Sequence, residues 1–171
     1  MTQKERAQYE DFESRSQKIL DQYYASRGHT VDRSKACIQY DCIIDNKWKI
    51  EEKFRSESRS DVAIEFIQNM HAGKFNLGWF YETRCDYLHY VFMDGDRIER
   101  FLRINWLKFR DWIIDTYFSK VNQHPFSVVS PKGYGVTLNL CVEISQIPEQ
   151  ILLLDEKPKL HKFSKGANYE P

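Results

Sequence analysis

Asp41, Glu51 and Lys53 are the residues of this chain whose types and spacing best fit a chemical task. They lie in the stretch Cys37–Arg55, CIQYDCIIDNKWKIEEKFR, where two runs rich in β-branched and aromatic residues flank Asp45-Asn46-Lys47. A polar break of that kind predicts a turn between two strands. With those residues as the loop, Ile44 faces Trp48, Cys42 faces Ile50 and Asp41 faces Glu51. Side chains alternate along a strand, so Gln39, Asp41, Ile43, Lys49, Glu51 and Lys53 share one face. Ile38, Tyr40, Cys42, Ile44, Trp48, Ile50 and Phe54 form the other, a core face in which Glu52 is the exception. Cross-strand neighbours stand roughly 5.5 Å apart at Cβ. Two carboxylates at that separation offer oxygen-only ligands, which suit Mg²⁺ or Mn²⁺ rather than zinc.

The hairpin needs a scaffold, and the flanking sequence supplies the elements of one. Thr2 to Ser26 reads as an amphipathic helix: Tyr9, Phe12, Ile19, Leu20, Tyr23 and Tyr24 follow a helical period, and Arg27-Gly28 ends it. Glu13 lies beside that apolar stripe. After the hairpin, Arg55 to Ser60 is a polar loop, and DVAIEFIQ, residues 61–68, reads as a third strand. Glu65 inside so apolar a run is a carboxylate whose burial is costly unless it is paired or metal-bound. Asn69 to Leu77 reads as a loop and Trp79 to Arg84 as a short helix or turn. Cys85 to Met93 and Arg97 to Ile104 read as strands joined at Asp94-Gly95. Asn105 is placed to cap a helix running to Val121. VTLNLCVEI is a late strand, and Ile147-Pro148 is expected to open a short helix ending at Leu154. His89, within the alternation of its strand, reads as a partly buried structural histidine.

The set Asp41, then Glu51-Glu52-Lys53, resembles the split signature of the PD-(D/E)xK nuclease superfamily, with Tyr40 standing where that family has its proline. The resemblance implies a restriction-endonuclease-like α/β fold, with a mixed central sheet flanked by helices. It implies that Asp41 and Glu51 bind Mg²⁺ or Mn²⁺ and that Lys53, its proton affinity lowered near the metal, handles the attacking water. It makes Glu13 and Glu65 candidates for additional site carboxylates. The segment GWFYETRCDYLHYVF resembles one in phage and bacterial nucleases of the superfamily, which makes Thr83 and Arg84 candidate DNA contacts. Arg55 and Arg59, on the loop leaving the E-x-K strand, are further candidates. The implied activity is metal-dependent hydrolysis of DNA phosphodiester bonds. The alternatives are a nuclease-like module that binds nucleic acid or protein without cutting, and a cross-strand ion cluster with no chemistry.

Composition narrows the field. A chain of 171 residues suits one domain with a real core, expected over residues 1–154, with a flexible basic tail over 155–171. A net charge of zero argues against a binder driven by bulk charge alone. The four cysteines are scattered, without CxxC or zinc-finger spacing, and predict reduced thiols and a cytoplasmic setting. No apolar run has signal-peptide or transmembrane character. No glycine-rich phosphate loop, G-x-S-x-G or H-E-x-x-H is present, which leaves the NTPase, serine-hydrolase and zinc-protease classes without support. A paired cut in duplex DNA needs two sites, which a homodimer would provide.

Overall fold

The structure, a computed structural model, describes residues 3–71, 74–118, 126–129 and 136–158. The chain is mixed α/β. Helix α1 (Gln3–Ser26) leads to strands β1 (Val31–Asp32), β2 (Cys42–Ile44), β3 (Trp48–Arg55), β4 (Asp61–His71) and β5 (Lys74–Leu77). Helix α2 (Trp79–Glu82), strands β6 (Tyr87–Asp94) and β7 (Arg97–Asn105) and helix α3 (Trp106–Tyr117) follow. Strands β8 (Phe126–Val129), β9 (Val136–Glu143) and β10 (Leu152–Glu156) complete the order.

These strands form two sheets. One has six strands in the order β1-β2-β3-β6-β7-β10, and the other has four in the order β5-β4-β9-β8. The larger sheet is mixed, because β3 and β6 run parallel while its other neighbours are antiparallel. Two apolar clusters cover its two faces. On one face Ile19, Leu20, Tyr23 and Tyr24 of α1 pack on Cys42, Ile50, Val91 and Phe101. On the other, Leu88, Tyr90, Phe92 and Leu102 meet Val62, Ile64 and Phe66 of the smaller sheet, together with Phe80 of α2 and Trp106 and Phe109 of α3. The larger sheet is therefore a filling between a helix and a second layer, and β3 presents chemistry to both sides.

From Cys42 to Ile44 the hairpin forms in the expected register, with Cys42 opposite Ile50, Ile43 opposite Lys49 and Ile44 opposite Trp48, but the ladder starts at Cys42 and the expected pairing of Asp41 with Glu51 does not form. Its loop needs left-handed backbone at Asp45 and Asn46, both at φ 54°, a conformation these two residue types tolerate. The helix start at Asn105 also holds, its side chain accepting from the Lys108 N–H at 3.1 Å. That helix is described to its C-cap at Phe118; residues 119–121 of its expected span lie outside the described residues.

Other expectations are corrected. β2 begins only at Cys42, because Cys37 and Tyr40 close on each other in a tight bridge. Ile38 is consequently 73% exposed instead of in the core, and Tyr40 packs against the cluster on the opposite face. The expected loop from Asn69 to Leu77 is largely strand: β4 continues to His71 and pairs with β5. No helix follows Ile147-Pro148. Pro148 O accepts from Ile151 N and Leu152 N in a turn, and the chain then adds β10 to the open edge of β7. That strand runs to Glu156, two residues beyond the expected end of the domain, while residues 159–171 of the expected tail lie outside the described residues.

Candidate active site

β2 pairs with only the first part of β3, so the backbone of β3 from Glu51 onward has an open edge on that side. Asp41 occupies that edge. Its N–H donates to Ile50 O at 2.8 Å, although Ile50 already stands opposite Cys42, the two-against-one pattern of a bulge. The bend turns the Asp41 carboxylate onto β3, where Oδ2 accepts from the Glu52 N–H at 2.7 Å. The side chain thus replaces a missing strand neighbour for one backbone donor.

Glu51 and Lys53 stand in register with Leu88 and Tyr90, on the face toward the smaller sheet. Glu51 is 5% exposed, and Lys53 Nζ forms an ion pair with its Oε1. The ammonium also lies 5.4 Å from the centre of the Trp79 ring. Burial raises the pKa of Glu51 to about 7; Lys53 opposes that rise and Asp41 adds to it. Burial pulls Lys53 down, but the carboxylates of Glu51 and Asp41 outweigh it and leave the pKa raised. Among the protein's own groups, two carboxylates thus act on one ammonium and favour its charged form.

Among the outer candidates, Glu13, Glu65 and Arg55 all act on Tyr9 of α1. Its pKa is raised by partial burial first and then by Glu13 and Glu65, while Lys53 and Arg55 oppose the rise. Arg55 is tied to the scaffold, with Nε donating to Tyr90 Oη at 2.7 Å. Arg59 is exposed and pairs with Glu57 at 3.3 Å. Arg84 folds back on its own loop, donating to Tyr81 O and Thr83 O. Thr83 is fully buried, its hydroxyl without a hydrogen-bond partner and its carbonyl accepting from Trp106 Nε1, so it supports the loop from inside instead of meeting solvent. Among the described residues, no group of three or more His, Cys, Asp or Glu side chains is gathered for a metal.

The sequence pattern missed the other side of β3. Glu52 sits in register with His89 on the α1 face, its side chain fully buried. Arg33 holds it with two hydrogen bonds, of 2.9 and 3.2 Å, and reaches on to Asp21. Tyr24 Oη lies 3.2 Å from Glu52 and 2.6 Å from His89 Nδ1. The one signal in the sequence was Glu52 itself, a carboxylate in an otherwise apolar row.

No family model, curated protein or solved structure matches this chain. Among the described residues no helix is long and apolar enough to cross a membrane.

Proposed function

We propose that the protein is a metal-dependent endodeoxyribonuclease of the PD-(D/E)xK type, built on a restriction-endonuclease-like core, with Asp41, Glu51 and Lys53 as its catalytic set. The observation that carries this reading is the buried Glu51 carboxylate beside Asp41 and Lys53 on an open strand edge. A carboxylate whose proton affinity is raised by burial and by a second carboxylate is a site that a divalent cation satisfies in place of a proton. Asp41 and Glu51 are the residues that would hold it, and Mg²⁺ commonly takes one or two carboxylates together with waters and substrate phosphate. When bound, the ion supplies Lewis-acid polarisation of the phosphate and a lowered pKa for coordinated water.

The remaining chemistry belongs to the side chains. Lys53, kept cationic by its acidic neighbours, acts as a donor: it orients the attacking water or neutralises charge on the phosphate. Trp79 restricts the lysine from one side. Arg59 and Arg84, with Arg55 at the end of β3, are the cations that would meet the DNA backbone. A homodimer would bring two such sites to the two strands.

A second reading has its own support. Asp41 already serves a backbone N–H and Lys53 already pairs with Glu51, so the cluster is partly self-satisfied, as in a nuclease-like module that binds without cutting. Plasmid and single-stranded DNA incubated with the purified protein in Mg²⁺, Mn²⁺ or EDTA separate the two. Wild type is expected to cut with either metal and not in EDTA, and Lys53→Ala is expected to abolish cutting. Saturable DNA binding without metal-dependent cleavage would favour the binding module.

A further inference from the structure

Lys49, Glu51 and Lys53 alternate along β3 and share its face toward the smaller sheet. Each lysine has an aromatic ring beside it. Lys49 Nζ lies 5.3 Å from the centre of the Tyr40 ring, and Lys53 Nζ lies 5.4 Å from the centre of the Trp79 ring. Both aromatic residues are half-buried, packed against the apolar cluster on that face while keeping some surface in solvent. They come from different elements, Tyr40 from the bend ahead of Asp41 and Trp79 from the first residue of α2. The two segments are joined, because the Arg84 N–H just after α2 donates to Gln39 O at 2.9 Å. Four strand residues separate the lysines by roughly 13 Å, with Glu51 midway. The proposed metal ligands thus lie between two pairs, each of a lysine and an aromatic ring.

Neither pair is needed to hold a metal, but each matches one repeat of a nucleic-acid strand. A lysine meets a phosphate, and a ring beside it gives a base a surface on which to stack, whatever the base. Stacking of this kind needs an unpaired base, since in a duplex both faces of each base are covered by its neighbours. Holding a duplex by its phosphates alone needs many free cations. Here the arginines are engaged within the chain: Arg59 holds Glu57 at 3.3 Å, Arg84 donates to Tyr81 O and Thr83 O, and Arg55 donates to Tyr90 Oη. The net charge of the whole chain is zero. The face is therefore richer in stacking surface than in free positive charge.

We propose that the preferred substrate of this site is single-stranded DNA, its bases stacked on Tyr40 and Trp79 and a phosphate held by Lys49, with duplex DNA the poorer substrate. The inference rests on the nuclease reading, which brings DNA to Asp41, Glu51 and Lys53, and it adds the form of DNA that the face selects.

The test measures binding and cutting separately, on one end-labelled oligonucleotide alone and annealed to its complement. Binding is read by fluorescence anisotropy in Ca²⁺, which takes the same oxygen ligands as Mg²⁺. The single strand is expected to bind at least about tenfold tighter than the duplex. Tyr40→Leu keeps apolar bulk without the ring, and is expected to weaken single-strand binding about fivefold or more and erase most of the preference. Lys49→Ala, at an exposed position, is expected to weaken single-strand binding and to lessen its salt dependence. Equal affinity for the two forms overturns the proposal, as does a folded Tyr40→Leu that keeps the wild-type preference. If Tyr40→Leu does not fold, as judged by circular dichroism, Lys49→Ala decides, and unchanged single-strand binding overturns the proposal. Cleavage of the same oligonucleotides in Mg²⁺ separates the two claims. A wild type that cuts both forms at equal rates overturns this inference and keeps the nuclease reading. A wild type that binds the single strand preferentially and cuts neither form overturns the nuclease reading and keeps the face as a single-strand binding surface.

Discussion

Glu51 and Glu52 are adjacent and both buried, yet their carboxylates serve opposite faces of β3 with different partners. Glu52 is held by Arg33 and Tyr24 within the core. Removing Glu52 leaves Arg33 with Asp21 alone and the buried Tyr24 hydroxyl without that acceptor, at a cost of about 3 kcal/mol. Glu52→Ala should therefore lower Tm by about 10 °C, read by thermal melting, and should do so equally with or without metal. Glu51 behaves differently. Its folded pKa, about 7, lies above the ordinary 4.5, so between those values the folded state binds more protons than the unfolded chain. Its contribution to stability is present at low pH and lost as pH rises through that window. His89 works in the other direction: its pKa is depressed from 6.5 to about 3, so its contribution is lost as pH falls below 6.5. Comparing wild type with Glu51→Gln isolates the Glu51 part. In EDTA, the melting temperature of the Gln variant should gain on wild type as pH rises from 5 to 8. The Mn²⁺-induced shift of wild type should grow over the same range, because the cation displaces a proton, and the variant should lose most of that shift.

At the scale of elements, the stretches that sequence made legible are those where one local signal dominates. Asp45-Asn46 tolerates left-handed backbone, which fixes the turn and hence the whole register of β2 on β3. Asn105 caps α3 through its own side chain. The misread stretches depend on distant partners. β5 becomes a strand because β4 lies beside it, and Leu152–Glu156 becomes a strand because β7 has an open edge. Neither edge can be read locally. Gly78 illustrates the same dependence. Its N–H donates to Phe66 O at 2.7 Å, and a Cβ there would come within 2.2 Å of Glu65 O. The clash is with backbone, which cannot swing aside. Gly78→Ala should cost about 2 kcal/mol or more, measured by denaturant unfolding. It should also disturb the segment that carries Glu65 and Trp79. An unchanged midpoint would mean that α2 does not pack on β4 as described.

Across the whole molecule, one six-stranded sheet separates two chemistries: a carboxylate and lysine cluster toward the smaller sheet, and a buried Arg33–Glu52–Tyr24–His89 network under α1. The first was partly readable in sequence because Glu51 and Lys53 alternate within β3, whereas Asp41 reaches them through a bend that alternation did not predict. The second was not, since Arg33, Tyr24 and His89 come from separate elements and meet only after α1 has packed on the sheet. The central claim concerns the first cluster and turns on Asp41. Its carboxylate serves both as an acceptor for the Glu52 N–H and as a proposed metal ligand, and Asp41→Asn keeps an acceptor oxygen while removing the charge. The most direct measurement is the rate of plasmid cleavage in Mg²⁺ by wild type and Asp41→Asn side by side, with melting temperatures in EDTA as the folding control. The account predicts cutting by wild type, a loss of at least about a hundredfold in the variant, and a variant that melts at or above wild type. An Asp41→Asn protein that cuts as fast as wild type, or a wild type inert toward DNA with every divalent ion, would contradict it.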